Sequence, residues 1–323
     1  MAAEFLSSPT AGPCPDAEST TLALPRLLAG QAQAEAAAAH LAPRLFAQAA
    51  DTDVMDAFPT QDHELILPKL FHLTYSQPLF STYPVRSNTF IASLGSTLVV
   101  APHPDDEALG CGELLALLRQ VGQPVATALA SDGTMSHPAS QLFPPSARRA
   151  VREAEFRHAL TILGVENTEP LLLGLPDSQV PATISDASFT EAVAQLRAFL
   201  DDQQPATVLV PWRRDPHPDH RATSYWLQAA LAAMPHPPRR LEYVVWAWER
   251  VTPADLPNVA DKVSGFRLDV RAVAAQKQQA IAAHHSQVAP GIFTDDEDGF
   301  LLSEKMLEHI TGPYEVFFAA LAP

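Results

Sequence analysis

The chain has 323 residues, of which 47% are hydrophobic and 18% charged, and a formal net charge of −16. That is enough length for one large domain or two small ones and enough apolar content for a buried core, which excludes global disorder. The negative field repels phosphate backbones and anionic bilayers, which excludes nucleic acid and membrane surfaces as expected partners.

In chain order, residues 1–20 are rich in Ser, Thr, Pro and Ala and are expected to be disordered. Residues 22–50 show an amphipathic pattern around Leu27, Leu28, Leu41, Leu45 and Phe46, which predicts one or two helices. Residues 51–94 are mixed, with apolar stretches near Leu65–Leu73 and Phe80–Ile91 that predict strands or an irregular cover. Residues 1–95 are therefore set apart as an N-terminal extension, and residues 96–323 as the main domain.

From Ser96 the pattern becomes regular. Strands are predicted at Thr97–Ala101, Pro124–Ala130, Leu171–Leu173, Thr207–Val210, Tyr243–Trp248 and near Phe266–Val270. Helices are predicted at Glu107–Gln120, Ala147–Leu163 with Gly164 as its stop, Phe189–Leu200, Ala222–Met234 and Val273–His284. This alternation implies βαβ crossovers: an α/β fold with a Rossmann-like, doubly wound, mostly parallel sheet and helices on both faces. The acidic run Asp295, Asp296, Glu297, Asp298 lacks the alternating ligands of a calcium loop and is expected to be a solvated turn.

No apolar stretch is long enough to cross a membrane, and the N-terminus, with Glu4, Pro13 and Pro15, lacks signal-peptide order. Cys14 and Cys111 make no disulfide framework. A cytoplasmic location is the resulting expectation.

Two clusters carry chemistry. Ala101-Pro102-His103-Pro104-Asp105-Asp106-Glu107 begins where one predicted strand ends, and Pro211-Trp212-Arg213-Arg214-Asp215-Pro216-His217-Pro218-Asp219-His220 begins where another does. In open parallel sheets ligands bind outside the carboxyl ends of strands, so both clusters open onto one rim. Flanking prolines stiffen each loop. A lone Asp-Asp is usually a helix cap, but two such clusters on one rim point to a metal site. Catalytic zinc takes three protein ligands plus water, and two His with one Asp meet that need. A spare carboxylate can act as general base, and a spare His can serve the oxyanion and the leaving amine.

With Gly110-Cys111-Gly112, Ser131-Asp132-Gly133, Arg152-Glu153-Ala154-Glu155, Gly174-Leu175-Pro176-Asp177 and Lys277…His284-His285-Ser286-Gln287, these clusters resemble the PIG-L/LmbE-like family of zinc-dependent N-acetylglucosaminyl deacetylases. The resemblance runs from about Thr97 to Gln287 and implies a Zn2+-dependent N-deacetylase acting on an N-acylated, sugar-like small molecule. It implies His103, Asp106 and His220 as metal ligands, Asp105 as general base, His217 as partner of oxyanion and amine, and Asp219 as the group orienting His217. Arg152 matches a substrate-facing arginine, with an ion pair to Glu155 as the alternative. Asp132 and His137 are further substrate-side candidates, His137 with an exposed loop position as its alternative. Trp212, Trp246 and Trp248 could stack on a sugar or lie in the core.

Three alternatives stay open. His103-Pro104-Asp105 with a distant His also spells the facial triad of iron(II) oxygenases, with Fe2+ in place of zinc. A non-catalytic metal-binding module is the second, and an amidase acting on a larger conjugate the third. Self-association into a homo-oligomer is also left open.

Overall fold

The computed structural model describes residues 80–183 and 185–321. All of them lie within one compact unit, Pro68–Pro323. The expectations for residues 1–50 and for Leu65–Leu73 fall outside the described residues.

The elements in chain order are β1 (Val85–Arg86), α1 (Asn88–Ala92), β2 (Thr97–Ala101), α2 (Asp106–Gln120), β3 (Val125–Ser131), α3 (Pro145–Ile162), β4 (Leu171–Leu175) and α4 (Ala187–Gln203). They continue with β5 (Thr207–Pro211), α5 (Pro218–Ala232), β6 (Arg239–Tyr243), β7 (Val263–Asp269), α6 (Ala274–Ala283), α7 (His285–Val288), α8 (Glu304–Ile310) and β8 (Tyr314–Ala320). The eight strands form one sheet in the order β1-β7-β8-β6-β5-β2-β3-β4. The run β6-β5-β2-β3-β4 is parallel, and β8 pairs antiparallel with both β6 and β7.

Strand periodicity explains the layers. Successive side chains point to opposite faces. Leu98 and Val100 of β2, with Val208 and Val210 of β5, pack on Leu196 and Leu200 of α4 and Leu227 of α5. Val99 and Ala101, with Leu209, face the other way onto α2, α3 and α6 through Leu114, Leu118, Phe156 and Ile281. Both faces of the central strands are covered, so those strands are apolar runs without alternation. This is the doubly wound sheet expected, and it is not the β-sandwich in which an iron(II) facial triad is usually housed. No described helix is long and apolar enough to cross a membrane.

Two expectations need correction. Tyr243–Trp248 is not a strand: β6 ends at Tyr243, where its register with Pro211 of β5 runs out. Trp246–Trp248 is a single 3-10 turn, and the Trp246 N–H donates to Asp215 Oδ2 at 3.1 Å, drawing the chain across the sheet rim. Residues 80–95 are not separate from the main domain, since β1 pairs with β7 and Phe80, Ile91 and Leu94 are buried. The acidic run is the turn expected, with Asp295, Glu297 and Asp298 exposed, but Asp296 is buried and the turn is tied down. Asp295 accepts from the Ser140 hydroxyl and the Gln141 and Leu142 amides, and Asp296 from the Ala139 amide, so the two carboxylates clamp a distant loop.

α2 bends at Cys111, whose φ of −149° is not helical. The bend frees backbone amides that need acceptors. The Glu315 carboxylate of β8 takes the Glu113 and Leu114 N–H groups, each at 2.9 Å. Lys277 Nζ, fully buried, lies 3.0 Å from Glu315 Oε1 and 2.5 Å from Glu113 Oε2. Burial drives the Glu113 carboxyl up to about 10 even though the Lys277 charge pulls it down. Removing one partner from such a buried set leaves an uncompensated charge. Lys277→Met is therefore expected to lower unfolding free energy by about 3–5 kcal/mol, measured by urea titration.

Candidate active site

β2 and β5 are neighbours whose following connections run to opposite sides of the sheet, α2 on one face and α5 on the other. Loops leaving the carboxyl ends of such a strand pair splay apart and open a crevice. Residues 102–105 and 212–217 are those loops, and they face a cleft of about 170 Å³. His103, Asp105, Asp106, Arg152, Asp177 and His217 form its polar side. Leu109, Met135, Trp246, Phe300 and Leu302 form an apolar side.

Asp106 Oδ2 is the centre of the polar side. It lies 3.0 Å from His103 Nδ1 and 3.1 Å from His220 Nε2, and it accepts the His103 backbone N–H at 2.9 Å. The His220 ring is fully buried. Its Nδ1 lies 3.3 Å from Asp215 Oδ1, yet neither ring nitrogen makes an aligned hydrogen bond. Close approach without alignment leaves a buried imidazole in want of a partner, which a cation between ring and carboxylate would supply.

His103 uses its other nitrogen differently. Nε2 faces two carboxylates, Asp219 Oδ2 at 3.1 Å and Asp177 Oδ1 at 3.4 Å. Asp219 is itself anchored by the Ser178 N–H at 2.8 Å. The expected bond from the Asp219 carboxylate to His217 is therefore replaced by one to His103. His217 is fixed through the backbone instead, its Nδ1 accepting the Asp219 N–H at 3.2 Å. In a neutral ring that tautomer leaves Nε2–H free to donate.

The charges follow from burial and these contacts. For His220 burial alone would lower the pKa, but the Asp106 and Asp215 carboxylates override it and lift the ring to about 9. His103 likewise stands well above 6.5, burial being outweighed by Asp106, Asp177 and Asp219. Asp106 is held well below the usual carboxylate range by those two imidazoles despite its burial. His217 falls to about 4 through burial and the cationic His220 and His103. Asp105 rises to about 7 because burial outweighs the nearby Arg152 guanidinium.

Two imidazoles that hold protons above neutral pH must lose them to bind a metal. Cation loading at pH 7 is thus expected to release protons from His103 and His220, and affinity should climb as pH rises towards about 9. Calorimetry in two buffers of different ionisation enthalpy reads the release directly, and a buffer-independent heat would contradict it.

His103, Asp105, Asp106, His217 and Arg152 line the cleft, while His220 stands behind Asp106. Among the described residues, two nitrogen- or oxygen-donor sets have ligand atoms within 4.8 Å of one another: His103, His217 and His220, and His103, Asp177 and Asp219. Arg152 does not pair with Glu155. Its Nη2 donates to Pro104 O and sits 3.3 Å from Asp105 Oδ2, while Glu155 holds the Ser286 amide and hydroxyl.

Asp132 and His137 are not in the cleft wall. Asp132 Oδ1 ties two rim loops by accepting from Thr134 and the Asp177 N–H. His137 is neither exposed nor in the cleft: it packs on Phe293 at 4.7 Å beneath Gly299, where any Cβ would overlap its ring. Of the three tryptophans, Trp246 faces the cleft. Trp212 is buried with its Nε1–H on Asp255 O, and Trp248 packs on Phe80.

Glu107, Asp177, Asp215 and His284 had no assigned role. All four stand inside the motifs named above, but which group each meets depends on segments far apart in sequence.

Residues 98–231 match the family model described as PIG-L: GlcNAc-PI de-N-acetylase. The chain is 27% identical over 221 residues to the "Probable N-acetyl-alpha-D-glucosaminyl L-malate deacetylase 2" of Bacillus anthracis, covering 65% of this chain and 91% of that one. It is 27% identical over 245 residues to a 1D-myo-inositol 2-acetamido-2-deoxy-alpha-D-glucopyranoside deacetylase of Rhodococcus erythropolis, covering 61% and 82%. A deacetylase solved in complex with teicoplanin shares the fold at TM-score 0.51 and 20% identity, covering 70% of this chain and 98% of that one.

Proposed function

Because the chain carries a PIG-L-family domain, we propose that it is a zinc-dependent hydrolase that removes an acetyl group from the nitrogen of an amino sugar or sugar conjugate. The observation that carries this reading is the meeting of His103 Nδ1 and His220 Nε2 on one oxygen of Asp106 beside an open cleft. Those three residues would hold the ion. The second donor set, through His103 Nε2, is better read as support, since a carboxylate on the far nitrogen of a ligating His orients the ring.

Zinc bound there supplies Lewis acidity and lowers the pKa of a water at the site. The remaining work belongs to the protein. The Asp105 carboxylate accepts the proton of the attacking water as oxygen bonds to the carbonyl carbon. A group that titrates near neutrality can both take and return that proton. The His217 Nε2–H donates to the carbonyl oxygen as charge develops there. The proton that Asp105 takes from the water is returned to the departing nitrogen as the C–N bond breaks. Acetate and a primary amine leave. Arg152, buried beside Asp105, keeps that carboxylate turned into the cleft and offers its guanidinium to substrate oxygen.

The apolar side of the cleft favours one further substrate form, an amino sugar joined to a larger apolar group. The test is a screen of N-acetylated amino sugars, their glycosides and conjugates for released amine, using the full chain with one equivalent of zinc and with chelator. Chelator-sensitive release from at least one acetamido sugar is expected. Zinc binding without hydrolysis of any of them would favour the non-catalytic alternative.

A further inference from the structure

Asp105 occupies a backbone conformation that residues with a Cβ rarely take, φ +140° and ψ −27°. Such a position is strained and persists only where the surroundings enforce it. Asp105 is also the residue preceding α2, where an aspartate ordinarily folds its carboxylate back onto the first helical amides. It makes no such bond here. The unusual backbone turns the carboxylate out into the cleft.

What enforces the turn lies behind the site. The Asp105 N–H donates to Glu107 Oε2 at 3.1 Å. The other oxygen of Glu107 lies 2.9 Å from His284 Nε2. Both side chains are completely buried, and neither lines the cleft. His284 stands at the end of α6. Glu107 thus stands outside the cleft, and its side chain reaches the catalytic loop by a hydrogen bond from the amide of the strained residue.

We propose that Glu107, braced by His284, is a positioning residue that holds the Asp105 backbone in its strained turn and so aims the general base. The inference rests on the hydrolytic reading for its kinetic consequence, but not for its structural one. Glu107→Gln keeps an acceptor for the Asp105 N–H, and its amide can donate to His284 Nε2 with the proton moved to Nδ1, which has no partner now. Glu107→Ala removes the acceptor.

The expected result in crystals of the zinc-loaded full chain is an Asp105 φ near its present value in Glu107→Gln and a relaxed, negative φ in Glu107→Ala. Kinetically, Glu107→Ala should lose at least about tenfold in kcat with KM and zinc content unchanged, as a misaimed group does, while Glu107→Gln stays within about threefold of the parent. Should Glu107→Ala not fold, His284→Leu and His284→Gln give the same comparison, the leucine losing kcat and the glutamine retaining it. An unchanged Asp105 φ and kcat in Glu107→Ala, or in His284→Leu, would overturn the proposal. So would a loss of kcat that follows zinc content alone. Absence of hydrolysis by the parent protein would defeat the functional reading and leave the φ comparison to decide this one.

Discussion

Asp105→Asn is expected to lower kcat by about 10²–10⁴-fold while the protein still binds one equivalent of zinc. The substitution preserves shape and removes only the ability to accept the water's proton. His103, Asp106 and His220 are untouched, so a loss of zinc in this variant would assign Asp105 to the ligand set. The pH profile gives a second reading. Asp105 must be ionised to act, so kcat/KM should rise with pH through its titration. That titration lies at or below about 7, since burial raises the carboxyl and a bound cation would lower it. In Asp105→Asn this acid limb should vanish from the residual rate.

His220→Ala is expected to have the other large effect, on the ion itself. The imidazole is fully buried, with Asp106 on one nitrogen and Asp215 on the other. Its removal deletes a ligand, leaves the buried Asp215 without its imidazole and leaves Asp106 with His103 alone. Supporting groups behind a ligand are worth about 10–100-fold in metal affinity, so loss of the ligand should exceed about 100-fold. Dialysed His220→Ala should retain little zinc by elemental analysis while keeping a native far-UV spectrum. Asp215→Asn is the matched control and should fall within the smaller range.

Much of this site was readable before any coordinates. Strands β2 and β5 are fully buried apolar runs, and the prolines and charges that end them mark the rim without knowledge of the neighbours. Of the groups named from sequence, His103, Asp105, Asp106, Arg152 and His217 line one cleft, whereas Asp132 and His137 do not. The pairings of the rim groups were not readable. Whether Asp219 meets His217, two residues away, or His103, on the other loop, depends on how two rim loops lie across the switch point. The fold choice put Asp219 on His103. The same limit hid β8, whose Tyr314–Ala320 run gains its meaning only from insertion between β6 and β7. It also misplaced the strand at Tyr243–Trp248, where five aromatic and β-branched residues look strand-like but Asp215 captures the Trp246 amide. His137 was sought near substrate because it follows a rim strand. Gly299 lets the acidic loop close over it and bury it instead.

The most direct measurement is the position of the ion. Anomalous difference density collected at the zinc edge from crystals of the zinc-loaded full chain should place one peak among His103 Nδ1, Asp106 and His220 Nε2, within about 2.3 Å of each ligand atom. A peak held instead by His103 Nε2, Asp177 and Asp219, or no peak in the cleft at full zinc occupancy in solution, would contradict it.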